Sequence, residues 1–135
     1  MQKEIIKDYG RVVFKDNVLY SYFNENVVVT PDIIRDVNSI GVEFSEGKRH
    51  YSIADITLNV TSTKEARAYA ADNEFISYHI ASAVIGNSLP VNLLVNFFIN
   101  INTPKVPTRL FRNEKEALDW FKKIESNLKT GSLPQ

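Results

Sequence analysis

Residues 109–121 read Arg-Leu-Phe-Arg-Asn-Glu-Lys-Glu-Ala-Leu-Asp-Trp-Phe, a short apolar run followed by the start of a helix. Residues 109–111 predict a last strand, and Asn113 is a typical helix cap with acidic residues in the turn after it. The predicted core-facing residues of this helix are Ala117, Leu118, Phe121, Ile124 and Leu128. We expect residues 131–135 to form a disordered tail.

The same alternation of strand and helix extends upstream of this unit. Residues 51–56 and 79–85 predict two strands, and the second is apolar enough to be covered on both faces. A helix is predicted after each strand. One begins at Ser62, which stands at capping-box spacing from Glu65, and the other covers residues 88–101.

The first part of the chain has the pattern of an antiparallel sheet. Strands are predicted over residues 3–8, 11–15 and 18–23, with a tight turn at residues 16–17. Thr30, followed by proline and aspartate, then starts a helix. The whole order predicts an α/β fold: a mixed β-sheet with an antiparallel N-terminal part and helices packed against it.

The composition is that of an ordinary globular protein. The length of 135 residues predicts one α/β domain over residues 1–130. Sixteen basic residues balance sixteen acidic ones, so nucleic-acid binding is not expected. The chain has no cysteine, and its N-terminus lacks the apolar core of a signal peptide, so we expect a cytoplasmic protein without disulfides.

No complete catalytic or cofactor site can be recognised in the sequence. Asp55 stands near the carboxyl end of a predicted strand, where open α/β sheets place ligand sites, and is a candidate ligand residue. Ser62, His79 and Asp55 have the chemistry of a hydrolase triad, but the Gly-x-Ser-x-Gly elbow is absent. His50 and His79 are isolated from other metal ligands, and no glycine-rich phosphate loop occurs. We therefore expect no enzyme activity, no cofactor and no metal.

Four strings of sequence together resemble a known family. They are residues 30–34, 53–56, 62–67 and, most clearly, 109–121. Their order and content are similar to the STAS or anti-sigma-factor-antagonist-like (SpoIIAA-like) domains, within a functionally uncharacterised bacterial subgroup. The resemblance implies a STAS-like fold and a regulatory rather than enzymatic role.

The resemblance also implies a candidate modification site. In signalling members of the wider fold, a partner kinase phosphorylates a serine or threonine in an Asp-Ser-Ser-Gly-like turn. The comparable residues 61–64 read Thr-Ser-Thr-Lys, which keeps the hydroxyls and lacks the acid and the glycine. Ser62 or Thr63 would then carry a phosphorylation-controlled switch, and the alternative is that Ser62 only caps the following helix.

The least usual feature is the uncharged stretch 75–104, which contains no Asp, Glu, Lys or Arg. A membrane span is not expected, because residues 86–90 interrupt the stretch and what remains is shorter than about 20 residues. The helix 88–101 is therefore either buried within the domain or a contact surface. Its predicted contact residues are Leu89, Leu93, Leu94, Phe97 and Phe98, with Asn92, Asn96 and Asn100 as a polar stripe.

Two functions compete on these grounds, beside the phosphorylation switch. The first is a non-enzymatic interaction domain, homodimeric through helix 88–101, because an isologous contact requires only one sequence. A different protein partner would use the same surface. The alternative is binding or sensing of a small apolar, lipid-like ligand, which requires an enclosed cavity lined by that helix.

Overall fold

The computed structural model describes residues 2–130, so the predicted tail at 131–135 lies outside the described residues. In chain order the strands and helices are β1 (Gln2–Lys7), β2 (Gly10–Lys15), β3 (Val18–Phe23), β4 (Val28–Val29), α1 (Pro31–Phe44), β5 (His50–Asp55), β6 (Thr61–Ser62), α2 (Lys64–Ala71), β7 (His79–Ile85), α3 (Leu89–Asn102), β8 (Thr108–Phe111) and α4 (Glu114–Thr130). The short strands β4 and β6 were not predicted, and neither was the 3-10 turn Ile76–Tyr78.

Six strands form one mixed sheet in the order β1-β2-β3-β5-β7-β8. The first three are antiparallel, and β3, β5, β7 and β8 run parallel. The turn between β2 and β3 has positive φ at Asp16 (52°) and Asn17 (64°), as a two-residue hairpin requires. The predicted fold class, a mixed sheet with an antiparallel N-terminal part, is confirmed.

The strand order decides which face each helix covers. From β3 onward each new parallel strand is added on the same side of the previous one, and parallel crossovers are right-handed. The crossover helices α1, α2 and α3 therefore lie on one face of the sheet. The last helix, α4, follows the edge strand β8 and covers the opposite face.

The face under α4 is a close-packed aromatic core. The rings of Trp120 and Phe121 in α4 lie 5.6 Å apart in a tilted arrangement, and Phe121 stacks on Tyr51 with ring centroids 4.6 Å apart. The helix face is rotated slightly from its prediction, because Trp120 is buried whereas Leu128, in the last turn, is 45% exposed.

Two hydrogen bonds fix α4 along its length. The hydroxyl of Tyr22 donates to Glu114 at 2.7 Å, and that of Tyr51 donates to Glu125 at 2.6 Å. Burial and the partner carboxylate raise the pKa of both phenols. Each tyrosine thus stays a donor at any physiological pH.

Each of the three crossover helices begins after a residue whose side chain caps it. At α2 the capping residue differs from the predicted one. Thr30 caps α1 and Ser88 caps α3 by accepting from backbone N–H groups. At α2 the cap is Thr63, whose Oγ1 accepts from the N–H of Ala66 at 3.0 Å. Ser62 is not the cap, because it still belongs to β6 and pairs there with β4.

The strand β7 is also less uniformly buried than predicted. Ala81, Ala83 and Ile85 are buried on the α4 side, whereas Ser82 and Val84 are half-exposed on the other side. The difference arises because the helices on that second face do not close fully onto the sheet. Among residues 2–130, no helix has the length and apolarity that crossing a membrane would take.

Candidate ligand-binding cavity

A cavity of about 230 Å³ lies between the sheet and the three crossover helices. Its floor consists of residues from β3, β5 and β7, and its walls come from α1, α2 and α3. The lining is predominantly apolar, which is the usual character of small-molecule sites.

The floor is open because small residues occupy it. Ser21, Ser52, Ala54 and Ser82 point to this face from three adjacent strands, and the hydroxyls of Ser52 and Ser82 are joined by a 2.8 Å hydrogen bond. That bond satisfies both hydroxyls without side chains from the helices. Helices seated at ordinary distance above such small side chains leave unfilled space.

The inner side of α3 forms one wall. Val91, Leu94, Val95 and Phe98 line the cavity at positions i, i+3, i+4 and i+7, which is one face of a helix. Two predicted contact residues, Leu94 and Phe98, therefore face inward. The remaining walls include the apolar residues Val29, Ile34, Val37, Val60, Ala66 and Ala70.

The outer side of α3 carries a second apolar stripe. Leu89, Leu93, Phe97 and Ile101 follow one another at intervals of four and are 72%, 61%, 60% and 63% exposed. Four large apolar side chains this exposed on one helix are unusual for a surface that faces only water. Of the predicted contact residues, the exposed ones are thus Leu89, Leu93 and Phe97.

The asparagines of α3 do not form one continuous stripe. Asn96 and Asn100 are exposed. Asn92 is half-buried near Gly86, and its Oδ1 is buried with no hydrogen-bond partner among residues 2–130. The polar edge that the sequence predicted is therefore interrupted at its first member.

Arg67 is the only residue with a permanent charge that lines the cavity within the described part of the chain. Its Nη1 donates to the carbonyl of Ser62 at 2.8 Å and to the Ser62 hydroxyl at 3.0 Å. Ser62, the candidate phosphorylation site, therefore holds Arg67 in place, while Thr63 caps α2.

Two histidines are buried together at the start of β5 and β7. The rings of His50 and His79 lie 5.2 Å apart, and His50 Nδ1 donates to the carbonyl of Lys48 at 2.9 Å. His79 lines the cavity, and its Nδ1 has no partner among the described residues. Burial and the nearby His50 lower the pKa of His79 from 6.5 to about 4, so the ring is uncharged at neutral pH.

Asp55 lies outside the cavity. Its Oδ1 accepts from the backbone N–H of Thr57 at 3.0 Å and from the Thr57 hydroxyl at 2.7 Å, so it stabilises the turn after β5. Within residues 2–130 no hydrogen bond connects Asp55, Ser62 and His79, so the triad is not assembled. No group of three or more His, Cys, Asp or Glu residues in this range is placed to hold a metal ion.

The small-residue floor and Arg67 were not predicted from the sequence. A signal for the floor was present in the sequence, because Ser21, Ser52 and Ser82 each stand between two apolar or aromatic residues of a predicted strand. It was not decisive, since their positions side by side depend on strand order. Arg67 carried no local signal beyond its place one turn into a helix.

The comparisons with known proteins agree with this architecture. A crystal structure of an uncharacterised protein from the DUF3478 family of Shewanella loihica PV-4, with a SpoIIAA-like fold, superposes with a TM-score of 0.52 at 11% sequence identity. The match covers 89% of this chain and 91% of that one, and it confirms the predicted SpoIIAA-like fold. No protein with a curated description matches the sequence. Residues 12–125 match the family described as a domain of unknown function, DUF7793, and the chain belongs to that family.

Proposed function

We propose that this chain is a non-enzymatic, cytoplasmic regulatory domain that binds a small apolar ligand in the cavity under α3. The observation that supports the proposal is the cavity itself: about 230 Å³ above a floor of small residues. For comparison, an engineered apolar cavity of about 150 Å³ binds benzene. By that scale a ligand of about nine non-hydrogen atoms fits.

The stability of the fold gives a second argument for an occupant. Unfilled space beside an apolar lining lowers the free energy of unfolding, because the lining loses packing contacts there. Larger side chains at Ser52 or Ala54 would recover much of that loss. The small floor thus favours ligand binding over stability, as binding sites commonly do.

The test fills the cavity with a side chain. Ala54→Leu places an isobutyl group on the floor, and Ala68→Leu, on the exposed side of α2, is the matched control. In NMR titrations with 1-octanol or indole, we expect shifts of the amides around Ser82 and Val91 in the wild type and in Ala68→Leu. Ala54→Leu should lose at least about tenfold in affinity, while its free energy of unfolding equals or exceeds that of the wild type, because the added side chain fills unoccupied space. Absence of binding to the wild type, or unchanged affinity in Ala54→Leu, would refute the proposal.

A second function is supported by the outer stripe of α3. We propose that the chain forms a homodimer through Leu89, Leu93, Phe97 and Ile101, which are exposed at intervals of four. One helix contributes the entire stripe, so a twofold axis across α3 would pair it with its own copy. The absence of charge along this helix favours an apolar contact.

Light scattering coupled to size exclusion tests the dimer. We expect a dimer for the wild type and folded monomers for Leu93→Glu and Phe97→Glu, because a carboxylate in an apolar interface is left desolvated and unpaired. Ala68→Glu, on α2, introduces the same charge away from the stripe and should remain dimeric. A monomeric wild type would end this proposal and leave the cavity proposal standing.

The phosphorylation hypothesis has less support from the local geometry. The hydroxyl of Thr63 is engaged in the α2 cap, and that of Ser62 accepts from Arg67. Both groups therefore have a structural role that accounts for their presence. We accordingly favour ligand binding over a phosphorylation switch as the regulatory event.

A further inference from the structure

The lining of the cavity contains a single ionic group. Every other lining residue is apolar, a serine, a threonine, an asparagine or the histidine His79, and none is Asp, Glu or Lys. Arg67 therefore introduces one positive charge into an otherwise uncharged site. Arg67 is half-buried, so an anion bound to it inside the cavity is attracted more strongly than at a fully exposed surface.

The donors of Arg67 are only partly used. The hydrogen bonds to Ser62, at 2.8 and 3.0 Å, both come from Nη1. Its Nε and Nη2 donate to no residue within 2–130, and no carboxylate in that range forms an ion pair with it. Nε–H and one Nη2–H form the parallel fork that matches the two oxygens of a carboxylate.

The bonds to Ser62 also fix where that fork points. Ser62 belongs to β6, which is paired with β4, so the acceptors for Nη1 are held by a strand rather than by a loop. A guanidinium anchored on one nitrogen has little freedom left in its plane. Less side-chain entropy is then lost when an anion binds at the other edge.

Resting on the proposed function, we infer that the natural ligand is an amphipathic monocarboxylate of about eight carbons in total. Its carboxylate binds the free edge of Arg67, and its chain lies over Ser52 and Ser82 against Leu94 and Phe98. One cation balances one carboxylate, whereas a phosphate monoester would bring close to two negative charges to a site with one positive group. The chain length follows from the volume of about 230 Å³.

A comparison of head groups on one chain length tests this inference. The probes are octanoate, 1-octanol and octyltrimethylammonium, titrated into the full chain by calorimetry or NMR. We expect octanoate to bind at least about tenfold more tightly than 1-octanol, as a charged hydrogen-bond pair predicts, and the ammonium to bind most weakly. Equal or weaker binding of octanoate would overturn the inference while leaving the cavity proposal intact. If none of the three binds, both fail.

Variants of Arg67 locate the effect on that side chain. Arg67→Met should lower octanoate affinity at least about tenfold and 1-octanol affinity by a clearly smaller factor, so that the preference for octanoate disappears while alcohol binding still reports a folded cavity. Arg67→Lys should retain part of the preference for octanoate, since it keeps the charge and loses the fork. A wild-type preference that persists in Arg67→Met would contradict the inference. If Arg67→Met does not fold, the ranking of the three probes on the wild type decides alone.

Discussion

His50 and His79 form a buried pair of rings, and His79 also lines the cavity. His50 lies against Phe14 in an edge contact and close under Gly41, where an added Cβ would come within 3.1 Å of His50 Nε2. His79 stacks edge-on against it, and neither ring has a carboxylate partner in the described residues. Desolvation consequently lowers the pKa of both rings.

This arrangement predicts a loss of stability in mild acid. The unfolded chain binds a proton at His79 near pH 6.5, and the folded chain does so only near pH 4. The stability contributed by the neutral ring is thus complete above pH 6.5 and is lost as the pH falls toward 4. Between pH 6.5 and 5 we expect His79 alone to lower the free energy of unfolding by about 2 kcal/mol, measured by urea denaturation.

The variant His79→Gln distinguishes the effect of protonating His79 from the effect of protonating carboxylates. It removes one titrating group. The slope of the free energy of unfolding against pH between 6.5 and 5 should therefore decrease, relative to the wild type, by the contribution of about one bound proton. Both proteins should be insensitive to pH between 7.5 and 8.5, which serves as the internal control. An unchanged slope in His79→Gln would show that His79 protonates freely in the folded chain.

At the scale of elements, two neighbouring hydroxyls at the start of α2 have different structural roles. Thr63 caps the helix through Ala66, whereas Ser62 accepts from Arg67 and leaves the helix N-terminus untouched. Thr63→Ala should therefore lower the free energy of unfolding by about 1 kcal/mol, and Ser62→Ala by clearly less. Urea unfolding of the two variants side by side measures the difference. A larger loss in Ser62→Ala would return the cap to Ser62.

Turns and helix caps show which features at the scale of elements could be predicted from the sequence. The hairpin at Asp16 and Asn17 and the caps at Thr30 and Ser88 were recognisable, because each depends on a few adjacent residues. The α2 cap was misplaced by one residue, since β6 pairs with β4, which lies far away in the sequence. Two-residue strands have no pattern of their own, so neither could be predicted.

At the scale of the whole molecule, the fold class was predictable and the site was not. Alternating strands and helices define the mixed sheet, and periodicity alone identifies the apolar faces of α1 and α4. The cavity depends on Ser21, Ser52 and Ser82 becoming neighbours across β3, β5 and β7. Strand order and register determine that, and neither can be obtained from local sequence patterns.

The inner side of helix α3 lines the cavity and its outer side is exposed to solvent, so both proposed binding events involve the same helix. A ligand that shifts Leu94 and Phe98 relative to the sheet also shifts Leu93 and Phe97 on the outer side, because all four residues belong to one helix. By thermodynamic reciprocity, whatever factor the ligand applies to self-association, self-association applies to ligand affinity. Such a domain would report the concentration of a metabolite as a change in its own assembly.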